Sequence, residues 1–310
     1  MMWVLGLVGL IGLAELGRVG GWVLGGWTLI GYVGAMGVCG WIWTDARGTA
    51  LRPAVVWSGV SLGVLMADVV LGVDGRPLGP VGPVRGGWTT LGALAVVASA
   101  VSVLNARNPG AGVWAGLVGV LVVMVVIRPL ALGGGDLVQA LGELGELEVS
   151  WRMFLVVLAV VGLGNYAGTR RWKAALVVGL GVVGWFVFGA GPAAEWQGVA
   201  RWVLLGGLPL GWLILGIEDR QARRASSDLE RLWYWFRDRW GLVWGLRVLE
   251  RLEREAEVAG WTFRLGWDGV EPRGAVGEIE TSDLAAATPV LRGLLHRFAR
   301  PWRLDRVVSG

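Results

Sequence analysis

Between residues 2 and 217 the chain alternates long apolar runs with short polar breaks, and its charges fall almost wholly in the breaks. A helix needs about 20 apolar residues to cross the hydrocarbon core of a bilayer. The runs 2–17, 22–43, 53–72, 88–105, 109–127, 151–168, 172–190 and 196–217 meet or approach that length. Backbone amides in lipid have to be satisfied within their own segment, so each run is predicted to be helix. The expected fold is an all-α polytopic membrane protein, with about eight transmembrane helices over 1–218. Run 2–17 is short, with Glu15 and Arg18 at its end, so seven full spans are the alternative.

The pattern changes at Glu218, and 219–310 is expected to form a small α+β cytoplasmic unit. Ser227-Asp228-Leu229-Glu230 reads as a capping box, which opens a predicted amphipathic helix over 228–258. The Trp/Arg density over 231–247 favours contact of its first half with the membrane interface. Trp261, Phe263, Leu265 and Trp267 alternate with Thr262, Arg264 and Gly266, as in a half-buried strand. Asp268-Gly269 is a turn signal, giving a hairpin over about 261–280 with its second strand near 275–280. Thr288-Pro289 predicts the start of a helix over 289–300, ended by Pro301. A unit this small has little core of its own, so docking on the membrane part or on a partner is expected.

Charge orients the spans. Arg47, Arg52, Arg107, Arg170, Arg171, Lys173, Arg220, Arg223 and Arg224 fall on one side of an eight-span arrangement, together with both termini. Asp136, Glu143, Glu146, Glu148 and Glu195 fall on the other, where Arg18, Arg76, Arg85 and Arg128 run against the trend. The bias places both termini in the cytoplasm of a bacterial inner membrane. No basic n-region opens the chain, so no cleaved leader is expected. Two outer loops are predicted, an irregular Gly/Pro-rich one over 73–87 and an acidic one over 128–150, with a surface helix from about Asp136 to Leu147.

Composition narrows the chemistry. Charged residues make up 17% of the chain and apolar residues 55%, against about a quarter charged in a soluble domain. The excess of 28 Lys and Arg over 24 Asp and Glu is spread along the chain, so nucleic-acid binding is not expected. One His and one Cys exclude a Cys/His zinc site, an iron–sulfur cluster and bis-His haem within one chain, so no metal or cofactor is expected. The chain is tryptophan-rich, with 21 indoles. Trp41, Trp43, Trp88, Trp151, Trp172 and Trp196 stand at predicted span ends, where the amphipathic ring settles at headgroup level. Gly31, Gly34, Gly37 and Gly40, and the pair Gly112 and Gly116, predict close helix packing.

Candidate chemistry rests on few residues. Charge inside a span is costly, which singles out Asp68, Arg201 and Glu15, with Asn165 as a polar residue near a span end. Arg201 is expected to snorkel or to pair with Glu195 or Asp68. Gly59-Val60-Ser61-Leu62-Gly63 has the form of a nucleophile motif, but His296 and Lys173 lie too far along the chain to serve Ser61 as base. Gly133-Gly134-Gly135-Asp136 matches the G-x-G-D pattern of intramembrane aspartyl proteases over four residues, with Asp136 in a predicted loop. The expectation is thus a non-catalytic subunit or scaffold of a membrane assembly, contacting lipid throughout and a protein partner through its tail. The alternatives are a small-solute or proton-coupled transporter using Asp68 and Arg201, and an intramembrane hydrolase at Ser61.

Overall fold

A computed structural model describes residues 26–72, 82–104, 106, 143–144, 147–190, 194–221, 227–273 and 279–309. Predicted spans 2–17 and 109–127, with Glu15, Gly112, Gly116 and Asp136, lie outside the described residues, as do 73–81 and most of the predicted surface helix. Helix α1 covers 26–45, α2 Arg52–Gly72, α3 Gly82–Leu104, α4 Val149–Gly164, α5 Trp172–Gly184 and α6 Ala194–Gln221. Among the described residues four segments are long and apolar enough to cross a membrane: Arg52–Val70, Gly86–Leu104, Trp172–Gly189 and Trp196–Glu218. Helix α4 is apolar but shorter.

Neighbouring helices from α2 to α6 pack on one another in sequence order, and α6 also meets α2. Helix α1 lies against both: Gly31 and Gly34 face Pro209 and Leu213 of α6, and a Cβ on Gly63 would come near Met36. Gly37 and Gly40 of the same predicted stripe meet no neighbour among the described residues. Helices α5 and α6 approach closely: a Cβ on Gly181 would stand 3.0 Å from the Leu204 Cα. Hydroxyls join α2 to α3: Ser58 bonds Ser99 at 2.8 Å, Ser99 donates to the Ala54 carbonyl, and Ser61 donates to the Gly92 carbonyl at 2.9 Å.

The outward faces of the described bundle helices are apolar, unlike the surface of a globule in water. Large apolar residues point outward, including Met153, Phe154, Val157, Val160 and Val161 on α4, while the small Ala159 and Gly162 are buried. Trp27, Trp41, Trp172 and Trp196 are exposed near helix ends. Such an arrangement suits a solvent as apolar as the side chains it meets, in which close packing holds helices together.

The predicted span 172–190 is not α-helix throughout. It changes to a π-helical turn at Trp185–Gly189, closed by the Ala190 N–H on the Trp185 carbonyl. The wider turn buries both Trp185 and Phe186, with the indole against Gly189 and its N–H donating to the Thr90 hydroxyl.

The tail caps one end of the bundle. Helix α7, Asp228–Ala259, begins at Ser227, whose hydroxyl accepts the Glu230 N–H. Leu229, Leu232, Trp233, Phe236 and Trp240 are fully buried. They join a core with Ala50, Leu51, Ala54, Val103 and Ala106 from the bundle end. The first half of the helix therefore turns these aromatic rings toward protein, while Val243 and Leu246 stay exposed. The bundle end offers an apolar surface that these rings fill.

Strand β1, Phe263–Gly266, pairs antiparallel with β2, Gly269–Pro272, which follows the turn at once; most of the expected strand position near 275–280 lies outside the described residues. Side chains of α7 hold the turn in place: Trp233 and Arg237 donate to the Trp267 carbonyl and Tyr234 to the Asp268 carbonyl. Helix α8 runs Thr281–Leu295, with Pro289 inside it rather than at its start. Its first turn is fixed by Asp283, which accepts both the N–H and the hydroxyl of Thr262. Pro301 opens a further helix, α9, Pro301–Ser309, instead of only ending the one before.

Candidate functional site

Among the described residues of the bundle, two polar features stand at opposite ends. The first centres on Asp68, on the last turns of α2 away from the tail. Its carboxylate is 1% exposed. Arg201 of α6 reaches across with Nη2 at 2.8 Å from Oδ1 and Nε at 3.0 Å from Oδ2. Nη2 also donates to the Asp68 carbonyl, and the Thr89 hydroxyl of α3 donates to Oδ2 at 2.7 Å. One ion pair thus ties three helices. Breaking such a pair from one side leaves an uncompensated buried charge, at a cost of about 3–5 kcal/mol. Tyr32 of α1 lies within electrostatic reach of both charges. It is fully buried, and its hydroxyl has no hydrogen-bond partner among the described residues.

Asn165 is a structural joint. Gly241 interrupts α7 with φ 77° and ψ −164°, a left-handed conformation that favours glycine. The break leaves backbone groups without helical partners, and Asn165 supplies them. Its Nδ2 donates to the Trp240 carbonyl, its Oδ1 accepts the Val243 N–H, and its own carbonyl accepts the Leu242 N–H at 2.6 Å. Ser61 is fully buried with its hydroxyl committed to Gly92, while His296 and Lys173 lie at the tail end.

The second feature is a cavity of about 140 Å³ on the bundle axis, at the tail end. Sequence reading did not reveal it, because its wall draws on every described helix of the bundle. Asp45, Thr49, Tyr166, Arg171 and Arg239 form its polar end. Val96, Val178, Leu208 and Trp212 line the apolar interior, where Ser58 and Ser99 also stand. Arg239 of α7 pairs with Asp45 at 2.7 Å, and Arg303 of α9 pairs with the other oxygen of the same carboxylate. Burial alone would raise Asp45, but the two guanidiniums outweigh it and hold the carboxyl below its ordinary range. Tyr166 donates its hydroxyl to the Arg239 carbonyl at 3.4 Å.

Asp68 and Arg201 are not among the residues lining this cavity. Between its floor and the ion pair lie fully buried Leu62, Leu65 and Leu204, a dry layer about 10 Å deep at 1.5 Å per helical residue. Comparison with known families, with characterised proteins and with solved structures finds no match to this chain.

Proposed function

We propose that this chain is an integral inner-membrane protein of about eight spans with both termini cytoplasmic. In this reading it is a non-catalytic subunit or scaffold, and its tail is the contact module. The saturated ion pair carries the reading: Asp68 is fully engaged by Arg201 and Thr89, as a structural tie between helices would be. The fastening of the tail to the bundle adds support, since it presents a fixed surface. That surface holds Leu246 and Val258, both exposed, along the helix ridge that carries the ion pair of Arg254 with Glu250. Purification of the full chain in mild detergent tests the proposal. A stoichiometric protein partner, lost in a Leu246→Asp/Val258→Asp variant, is expected; a lone monomer or homodimer contradicts it.

A second reading, a small-solute or proton-coupled transporter using Asp68 and Arg201, is favoured by one observation. The fully buried Tyr32 hydroxyl beside the pair, without a partner among the described residues, is the kind of group a passing solute or proton uses. Loss of transport in a folded Asp68→Asn variant would support it, and unchanged transport would remove it.

A further inference from the structure

We propose that the join between bundle and tail binds the headgroups of anionic phospholipids, and that these lipids help to fasten the tail to the bundle. The inference rests on the chain's placement in a membrane and not on the scaffold role.

The site is built around the loop that leads from α1 to α2. Trp43 near the end of α1 and Arg52 at the start of α2 flank it, with the Arg52 guanidinium 4.8 Å from the centre of the indole. Arg47 is exposed within the loop. The tail presses on the same loop. The Arg300 N–H bonds the Gly48 carbonyl at 2.8 Å, and Thr49 pairs with Ala299 as an isolated bridge. The Trp302 ring covers Gly48, where a Cβ would stand 2.6 Å from it, and the Arg306 guanidinium lies 5.2 Å from the centre of that ring. Arg47 and Arg52 of the bundle therefore meet Arg300 and Arg306 of the tail at one join, and all four are exposed.

Charge points to the ligand. The carboxylates of the same elements are already engaged, Asp45 by Arg239 and Arg303, and Asp305 by Arg292. Among the described residues no carboxylate pairs with Arg47, Arg52, Arg300 or Arg306. The indoles take only the faces of the Arg52 and Arg306 guanidiniums, so their N–H edges stay open to charge-assisted hydrogen bonds. Docking thus gathers like charges from both sides of the join without a counter-charge from these elements. A phosphate supplies one, and the guanidinium fork matches its geometry. Position identifies the source. Arg52 opens the segment Arg52–Val70, long and apolar enough to cross a membrane, and Trp41 is exposed at the end of the preceding helix. Span ends and indoles of this kind sit at headgroup level, where anionic lipid attracts each nearby arginine by about fivefold in binding. Lipid phosphate already stands at that depth, which favours it over an acidic segment of a protein.

The test places the full chain in nanodiscs holding equal amounts of phosphatidylglycerol and phosphatidylcholine. Native mass spectrometry then reads the lipids kept by the released protein. The parent should retain phosphatidylglycerol over phosphatidylcholine by about fivefold or more. Arg52→Gln/Arg306→Gln should remove most of that preference, and Arg52→Lys/Arg306→Lys should keep it. Arg247→Gln/Arg251→Gln, which takes the same charge from exposed positions of α7, should leave it unchanged. Near-UV circular dichroism follows melting of the tail in discs with and without phosphatidylglycerol. The anionic lipid should raise the melting temperature of the parent but not of Arg52→Gln/Arg306→Gln. In phosphatidylcholine alone that variant should melt no lower than the parent, because repulsion across the join is relieved. Equal retention of the two lipids by the parent overturns the proposal and leaves an acidic protein segment as the occupant. A preference that survives Arg52→Gln/Arg306→Gln, or a tail no more stable with phosphatidylglycerol, overturns it too. Failure of the chain to enter the discs at all overturns the membrane placement, and this proposal with it.

Discussion

At Asn165 one side chain and its own carbonyl complete three backbone groups of a distant helix. A Cβ on Gly241 would stand 2.3 Å from the Asn165 amide nitrogen, so this joint tolerates no side chain as built. Gly241→Ala should destabilise the protein by about 2 kcal/mol or more, through backbone strain and displacement of Asn165. Asn165→Ala should cost about 1–3 kcal/mol, the penalty of leaving buried backbone groups unmade. Thermal melting in detergent measures both, and melting temperatures equal to the parent protein would refute the joint. Asp68 and Arg201 call for a cycle rather than single changes. Asp68→Leu or Arg201→Leu alone should cost about 3–5 kcal/mol, while the double variant should be closer to the parent than either. Strict additivity would show that the pair is not coupled. The sequence singles out Asp68, Arg201 and Asn165 because polar groups are scarce in apolar runs. It does not disclose Asn165's role, since the break at Gly241 lies 76 residues away and looks like any other glycine.

Between elements, Asp45 joins α1 to α7 and α9 through Arg239 and Arg303. Its carboxyl is depressed in the folded protein. The stability it contributes is therefore complete above its unfolded value, about 3.9, and is lost as pH falls through the lower folded value. Asp283 shifts in the same direction because it accepts the N–H and hydroxyl of Thr262. Docking of the tail should be constant from pH 7 to about 5 and weaken below about 4. Near-UV circular dichroism of the tryptophans should follow this change, and Asp45→Asn should lower docking at neutral pH and flatten the acid step. An acid response unchanged in Asp45→Asn would contradict the latch. Element boundaries are legible where one strong requirement sets them. The apolar lengths near 53–72 and 196–217 lie close to α2 and α6, because crossing lipid demands a certain rise. They are not legible where distant contacts decide. The π-turn at Trp185 lies in an unbroken apolar run, and its cause is the seat of the indole beside Thr90 and Gly189. The hairpin turn itself is legible at Asp268-Gly269, but the grip of Trp233, Tyr234 and Arg237 on it is not.

Across the whole molecule, bundle and tail share one continuous join. Trp240 and Trp244 donate their indole N–H groups to the Ala106 and Leu104 carbonyls at the end of α3. The Ala50 and Arg300 N–H groups bond to the Phe298 and Gly48 carbonyls across the same join. Removing residues 227–310 would strip cover from Leu51, Val103 and Ala106 and open the axial cavity. The truncated chain should aggregate or be degraded, and size-exclusion chromatography in detergent would show it; a monodisperse bundle would mean the tail is an independent appendage. The central claim is that lipid solvates the outward faces of α4, α5 and their neighbours, where Phe154, Val157, Leu176 and Phe188 are exposed. Alkaline carbonate extraction of membranes from cells producing the full chain tests it most directly. The protein should stay with the sedimented membranes and enter solution only with detergent, and its release into the aqueous supernatant as a folded species would contradict the account.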